Sequence, residues 1–133
     1  MNVERVGRPV DIAVSGLKAQ SLRLNAIAAN IANANTTRTA TGGPYRRQDV
    51  QVRSTGGGGV TLARLVQDKK TDFKRVLQPG HPDADGKGYV QLPNVEMPVE
   101  MMNMVTASRA YQANAAVLKR YQDLMDVTLE LLR

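Results

Sequence analysis

Apolar residues recur at intervals of seven near both ends of the chain, and this spacing constrains the fold more than any other feature. A seven-residue period aligns side chains along one stripe of an α-helix. The sequence therefore predicts two long helices, over residues 10–35 and 98–132. The first stripe comprises Val10, Leu17, Leu24 and Ile31, with Ala13, Ile27 and Ala34 beside it, and the second comprises Met97, Met104, Tyr111, Leu118, Met125 and Leu132.

The middle of the chain has a different pattern. Residues 49–53 and 60–63 alternate polar and apolar side chains, as half-exposed strands do, and a run of four glycines at 56–59 separates them. This pattern predicts a β-hairpin or a loop. Residues 78–82 carry turn-forming proline and glycine, and we expect Asp83 and Asp85 to cap backbone N–H groups in a compact turn that follows.

The predicted fold is mainly α. Two long terminal heptad helices form an antiparallel or partner-swapped coiled coil, with a small β-hairpin or loop segment between them. The segments are 1–36, 37–95 and 96–133, within one structural domain. Aromatic residues make up 4% of the chain and Trp is absent, so a self-sufficient core is poorly supplied. We therefore expect the helices to be partly frayed in the isolated chain and to become ordered on contact with partner chains.

Residues able to perform catalysis are few. The chain has no Cys and one His, His81, and Ser54, the serine outside the predicted helices, is remote from it in sequence, so no nucleophile system is expected. His81, Asp83 and Asp85 could ligate a cation, but the surrounding prolines and glycines favour the compact turn. Glu96 and Glu100 lie one turn apart and are predicted to be exposed carboxylates that suit a helix dipole. We predict no enzyme activity, no cofactor and no metal.

The charge of the chain is unevenly placed. The net charge is +6, and residues 36–80 carry nine basic and three acidic side chains, an excess equal to that of the whole chain. Such a basic segment is compatible with a helical nucleic-acid-binding protein, which is the alternative function. The arginines are scattered, however, and only Tyr45 and Phe73 could stack on bases. A solvated or subunit-facing loop region is the favoured interpretation.

Three asparagines, Asn30, Asn33 and Asn35, fall within six residues near the predicted end of the first helix. Asn forms helices poorly, and its side chain competes for backbone hydrogen bonds, so these residues can terminate the helix. Alternatively, their amides make hydrogen bonds across a subunit contact. The first thirty residues also contain no uninterrupted apolar stretch of signal-peptide length and no membrane-spanning run, which predicts export, if any, without a cleaved Sec-type signal and without membrane insertion.

Several segments together resemble the flagellar basal-body rod protein family. They are residues 29–36 (ANIANANT), 43–46 (GPYR), 79–85 (PGHPDAD), 88–90 (GYV), 93–95 (PNV) and 107–114 (ASRAYQAN). The first is similar to a signature shared by rod and hook proteins. The last three together point to the proximal-rod, FlgC type.

The resemblance implies a non-enzymatic structural subunit. Such a subunit is exported by the flagellar type III apparatus and polymerises in the periplasm with itself and other rod proteins into a torque-transmitting shaft, without nucleic acid or a small-molecule substrate. The terminal helices then form the inner layers. The resemblance implies packing and interface roles for Asn30, Asn33, Asn35, Thr36, Ser108, Arg109, Tyr111, Gln112 and Asn114, and the heptads predict contacts at Val10, Leu17, Leu24, Ile31, Met104, Leu118, Met125 and Leu132.

Overall fold

The computed structural model describes residues 8–54 and 58–132. The chain is mainly helical, with two terminal helices and a small antiparallel β segment between them, as predicted. In chain order the elements are α1 (Arg8–Ala32), β1 (Gln48–Ser54), β2 (Val60–Gln67), β3 (Lys74–Leu77), β4 (Tyr89–Leu92) and α2 (Met97–Leu131).

Helix α1 ends at Ala32, within the cluster of asparagines that the sequence marks as its end but three residues before residue 35. The side-chain amide of Asn33 donates a hydrogen bond to the carbonyl oxygen of Ala29 over 2.9 Å. The Thr36 hydroxyl donates to the Asn33 side-chain oxygen, and the Thr36 backbone N–H donates to the Asn33 carbonyl. These local bonds replace the next turn of helix, so Asn33 acts as a helix-terminating residue.

The two helices run antiparallel along each other. Asn30 of α1 contacts Glu100 of α2, and Gly16 of α1 lies against the side chain of Asn114. In both pairs the residue numbers add to 130, so Arg8 at the described start of α1 stands level with residue 122 of α2. Residues 123–131 of α2 therefore extend past the described part of α1. Coiled-coil geometry within this pair stays a prediction.

The most buried face of α1 differs from the heptad stripe. Its buried apolar residues are Ala13, Ala19, Ala26 and Ile27, and the buried apolar residue of α2 is Ala107. Every residue of the α1 heptad stripe is only half-buried. Small side chains let two helix backbones approach closely, which determines the face that packs inward. The heptad spacing identified the helix correctly, and Ala13 and Ile27 of its companion positions are buried, whereas Ala19 and Ala26 lie outside the pattern.

The first hairpin matches its prediction. Strands β1 and β2 pair antiparallel, from Gln48 opposite Gln67 to Ser54 opposite Val60, with an irregularity between Arg53 and Ser54. Val50 of β1 is buried, and the hairpin packs against α1. The hairpin therefore lies alongside the helix pair.

The second hairpin, formed by β3 and β4, was not predicted. Lys74 pairs with Leu92 and Leu77 with Tyr89, and Val90 of β4 is fully buried. Between the strands, the Asp85 carboxylate accepts hydrogen bonds from the backbone N–H groups of Lys87 and Tyr89, each at 2.9 Å. These bonds lower the pKa of Asp85, the one from Tyr89 having the larger effect, and they confirm the predicted turn.

Asp83 has a different role from the one predicted. Its carboxylate accepts a hydrogen bond from the Thr37 hydroxyl at 2.7 Å and pairs with the Arg38 guanidinium at 2.6 Å. The prediction that Asp83 caps a backbone N–H group is therefore wrong. Asp83 instead connects the second hairpin to the loop that follows α1.

Candidate subunit interface

A buried polar cluster at the start of α2 fixes the arrangement of the helices and the first hairpin. Its central residue is Glu100, whose side chain is 0% exposed. One carboxylate oxygen accepts a hydrogen bond from Arg47 Nε at 2.6 Å, and the other accepts from Asn30 Nδ2 at 3.0 Å. The prediction that Glu100 is an exposed, dipole-serving carboxylate is wrong, because Arg47 compensates its charge inside the protein.

Asn30 connects all three parts of the cluster and is also 0% exposed. Its amide nitrogen donates to the Gln48 carbonyl as well as to Glu100, and its oxygen accepts from the Gln48 N–H and the Tyr45 hydroxyl. Both donor hydrogens and both acceptor positions of the amide thus have partners within the chain. Burial raises the pKa of Tyr45, and the negative charge of Glu100 raises it further.

Arg47 is held in place through its backbone as well as its side chain. Its N–H donates to the Asn94 side-chain oxygen at 2.8 Å, and its carbonyl accepts from the Asp68 N–H at 2.8 Å. Burial lowers the pKa of Arg47, but the hydrogen bond and charge of Glu100, with the charges of Asp49 and Asp68, leave that pKa raised. The guanidinium is therefore a permanent cation of the cluster.

Asp68 and Asn94 extend the cluster into the loop after β2. The Asp68 carboxylate accepts from the Thr71 hydroxyl at 2.7 Å and from the backbone N–H groups of Thr71 and Lys70. These bonds, above all the one from the Thr71 hydroxyl, lower the pKa of Asp68. The Asn94 amide donates to the Asp68 and Thr71 carbonyls. The loop is thereby fastened to the residues just before α2.

Helix α2 exposes many apolar side chains. Near its start Met101, Met102 and Val105 are exposed on the side opposite Glu100 and Ala107. Toward its end almost every apolar side chain is exposed, because nothing in the described part of the chain stands opposite residues 123–131. The most exposed of these are Leu124 at 67%, Leu129 at 61%, Leu131 at 82% and Leu132 at 80%.

The predicted interface residues fall into three groups by exposure. Asn30 is fully buried within the chain. Val10, Leu17, Leu24, Ile31, Asn33, Thr36, Met104, Ser108, Asn114 and Leu118 are half-buried. Asn35, Arg109, Tyr111, Gln112, Met125 and Leu132 are exposed. A single chain does not test whether these residues contact a neighbour, so their interface role stays a prediction.

The candidate cation ligands have other hydrogen-bond partners. His81 Nδ1 accepts from the Asp83 backbone N–H at 3.0 Å, while the carboxylates of Asp83 and Asp85 bind the separate partners described above. Within residues 8–54 and 58–132, no group of three or more His, Asp or Glu side chains is placed to share a metal ion. Over the same residues, neither helix combines the length and the hydropathy that crossing a bilayer requires.

Comparison with known proteins identifies the family. Residues 11–38 match the family model "Flagella basal body rod protein", and residues 87–131 match "Flagellar basal body rod FlgEFG protein C-terminal". The chain is 48% identical to the flagellar basal-body rod protein FlgC of Yersinia enterocolitica over 91% of its length and 93% of the relative's. It is 38% identical to the FlgC of Borreliella burgdorferi, with 93% and 95% of the two chains covered, and 32% identical to that of Bacillus subtilis, with 92% and 95% covered. The chain therefore belongs to the flagellar basal-body rod proteins of the FlgC type.

Proposed function

We propose that the chain, a structural subunit of the basal-body rod by its family, joins that rod through the exposed faces of α1 and α2 and transmits torque there. The observation that carries this proposal is the distal part of α2, where four leucines between residues 124 and 132 are more than half exposed. Large exposed apolar patches are rare on monomeric soluble proteins and mark interaction sites, so leucines this exposed and this close in sequence favour an assembly contact.

The energetics of burial support an assembly role. Complete burial of one Leu side chain contributes about 1.5–3 kcal/mol. Association costs about 4–15 kcal/mol in lost translational and rotational freedom. Covering the four distal leucines therefore offsets much of this cost before any polar contact forms. The heptad residues of both helices, half-buried or exposed in the single chain, supply further surface for the same purpose.

The buried polar cluster has a positioning role in this proposal. Glu100, Arg47 and Asn30 hold α1, α2 and the first hairpin in one arrangement, so that contacts made by one element constrain the others. A subunit that transmits torque needs such internal connections, because a soft joint would absorb rotation. The three segments 1–36, 37–95 and 96–133 accordingly act as one structural unit.

The finer setting of the protein is also part of the proposal. We place the assembled subunit in the periplasmic part of the rod, in contact with itself and with other rod proteins. We infer that the flagellar type III apparatus exports it without cleavage of a signal. The comparisons give no support to the nucleic-acid-binding alternative. In addition, some of the basic side chains of the middle segment already form ion pairs within the chain, namely Arg47–Glu100, Arg75–Asp85 and Lys74–Glu96.

The first test uses cells that lack this protein. Loss of rods and motility, restored by the intact chain, is the expected result. A double variant, Met125→Asp and Leu132→Asp, should then fail to restore either one, because both side chains are exposed in the single chain and the charges disturb only an assembled contact.

The matched control is Lys87→Asp, which places a charge on the exposed loop between β3 and β4 and should restore motility. The half-buried heptad residues of the two helices are tested in the same way. Leu24→Asp in α1 and Leu118→Asp in α2 should each abolish assembly. Motility supported by the Met125/Leu132 double variant and by both single variants would refute the proposed interface.

A further inference from the structure

The hydrogen bonds of the first hairpin show which backbone groups of β2 point away from β1. In an antiparallel pair of strands, residues that bond each other alternate with residues whose N–H and C=O groups point outward. The Asp68 N–H donates to the Arg47 carbonyl, in register with β1 and β2, so these two residues are of the first kind. The outward groups of β2 therefore belong to Ala63, Leu65 and Gln67.

The same alternation holds in the second hairpin. The Gln78 N–H donates to the Gly88 carbonyl, in register with β3 and β4. Residues of the next pair but one along the strands also bond each other, and those between them do not. The outward groups of β3 are therefore those of Arg75 and Leu77, and the outward groups of β4 include those of Tyr89.

The outer edges of β1 and β4 have partners within the chain. Both backbone groups of Gln48 on β1 bond to the Asn30 side chain. On β4, the Tyr89 N–H donates to the Asp85 carboxylate, and the Tyr89 carbonyl accepts from the Asp85 N–H. In the part of the chain that the structure describes, the outward groups of β2 and β3 have no hydrogen-bond partner. The outer edges of β2 and β3 are thus free, and a free edge is a template for an added strand.

The free edge of β2 borders an apolar groove. The groove lies between β2 and α1 and has a volume of about 600 Å³. Its apolar lining consists of Val14, Ala19 and Leu22 from α1 and Val60 and Ala63 from β2. A strand added to β2 would lie over this groove and direct every second side chain toward it.

Strand β3 has the complementary features. All four of its side chains are exposed, and Leu77 is exposed at 57%. Leu77 and its cross-strand partner Tyr89 lie on one face of the second hairpin, and Tyr89 is 39% exposed. The opposite face contains the fully buried Val90, so it packs within the chain. The face of Leu77 and Tyr89 is therefore the one that another chain can cover.

We propose that β3 of a second copy of this chain adds to the free edge of β2, with Leu77 over the groove between β2 and α1. The two hairpins then form one four-stranded sheet across two copies, in the order β1–β2–β3–β4. A second copy is the occupant because the same chain supplies the other free strand edge and an exposed apolar face that fits the groove.

The contact joins different surfaces of two copies, and such heterologous contacts generate rings or helical filaments. The proposal rests on the proposed assembly into the rod and deepens it, because it assigns one contact between copies to two named strands.

The absence of cysteine from the chain allows a direct cross-linking test. Two single-cysteine variants, Leu65→Cys on β2 and Leu77→Cys on β3, carry tags of different size and are expressed together in cells that lack the natural protein. Both positions are exposed in the single chain. A short bis-maleimide added to isolated basal bodies should give a mixed dimer of the two variants, because neighbouring strands bring such side chains close together. The control replaces Leu77→Cys with Val105→Cys, which is 52% exposed on α2 and should give only background.

Proline tests the backbone pairing itself. Leu65→Pro removes an N–H that points outward from β2, and it leaves the bonds between β1 and β2 in place. This variant should keep its unfolding temperature and lose motility. The matched control, Arg64→Pro, removes an N–H that points toward β1, so it should lower the unfolding temperature. If Leu65→Pro also lowers the unfolding temperature, Gln67→Pro, at the next outward position, replaces it.

The outcomes separate this inference from the proposed function. Cysteine variants that restore motility but give no more mixed dimer than the Val105 control overturn the contact between β2 and β3 and leave the rod role intact. A cross-link from Leu65→Cys to a different protein overturns it equally, and so does normal motility of a folded Leu65→Pro or Gln67→Pro variant. Failure of the intact chain to restore motility overturns both proposals.

Discussion

Replacing Glu100 by Gln removes a buried negative charge with almost no change in side-chain volume. The carboxylate is fully buried and accepts from Arg47 at 2.6 Å and from Asn30 at 3.0 Å. An amide at this position can accept from Arg47 only by turning its own N–H₂ group toward the Asn30 amide, so one bond is lost and two donors face each other. Removing one partner of a buried pair costs about 3–5 kcal/mol. Since Arg47 is partly exposed and retains Asp49 at 3.7 Å, we expect the lower end of this range, about 3 kcal/mol.

Glu96 provides the matched control. It lies one turn earlier in the chain and pairs with Lys74 Nζ at 3.1 Å, but its side chain is 58% exposed. Exposed ion pairs contribute about 0–1 kcal/mol, so Glu96→Gln should change stability by less than about 1 kcal/mol. The two variants thus share residue type and substitution, at the N-cap and in the first turn of α2, and they differ in burial.

The assay is urea unfolding of the purified chain, followed by helical circular dichroism. The effect of Glu100→Gln should persist at high salt, because buried pairs are weakly screened, and any effect of Glu96→Gln should fade. Free energies of unfolding for the two variants that agree within about 0.5 kcal/mol would refute the reasoning, because exposure would then not decide the cost.

Three further outcomes follow from local geometry. Gly16→Ala should gain more stability in an Asn114→Ala background than in the natural chain, since the new Cβ lies 2.8 Å from the Asn114 side-chain nitrogen; equal gains in a double-mutant cycle would contradict this. Gly88→Ala should cost about 1–2 kcal/mol, because φ is +81° and Pro79 is 3.2 Å from the added Cβ, whereas Gly86→Ala, with open space around it, should be neutral by thermal unfolding. The hydroxyl and backbone N–H groups that bind Asp68 lower its pKa, so its contribution to stability is present above the unfolded pKa of about 3.9 and is lost as pH falls through the lower folded value; an NMR titration midpoint at or above 3.9 would contradict this.

The helices were predictable because their signal is long and periodic. A seven-residue repeat of apolar side chains sustained over four or more turns is typical of a long helix and of little else. Asn33 and Thr36 end α1 through bonds that involve only their neighbours. The face that packs inward was only partly predictable from apolar side chains, since Ala13 and Ile27 lie beside the heptad stripe and are buried. Ala19 and Ala26, which are also buried, and Gly16, which lies against Asn114, are small residues outside that pattern.

The second hairpin escaped prediction for a different reason. Its strands have four residues each, too few to establish alternation, and the connection over residues 78–88 is longer than hairpin loops usually are. The turn inside it was predictable at Asp85, because Lys87 and Tyr89 are close in sequence. The role of Asp83 was not predictable, because its hydrogen-bond partner Thr37 lies 46 residues away in the sequence.

The buried cluster depends on contacts that no local pattern encodes. Glu100 meets Arg47 across 53 residues and Asn30 across 70. From the sequence, Glu100 has the same surroundings as Glu96, a carboxylate in the first turn of an apolar helix. Tertiary contacts alone separate a structural carboxylate from a solvated one. The local sequence around Glu100 offers one sign of burial, because its two neighbours, Val99 and Met101, are apolar. Both of these neighbours are themselves exposed, so this sign would not have been reliable.

The most direct test of the account compares one position in the free and assembled protein. Leu132→Cys introduces a single thiol at a site that is 80% exposed in the single chain. Its rate of maleimide labelling is measured on the purified chain and on isolated basal bodies, with Lys87→Cys as the exposed reference. Fast labelling of the free chain and strong protection in the basal body, with the reference unchanged, is the predicted result. Equal labelling rates in both states would contradict the claim that the distal part of α2 is covered when the rod forms.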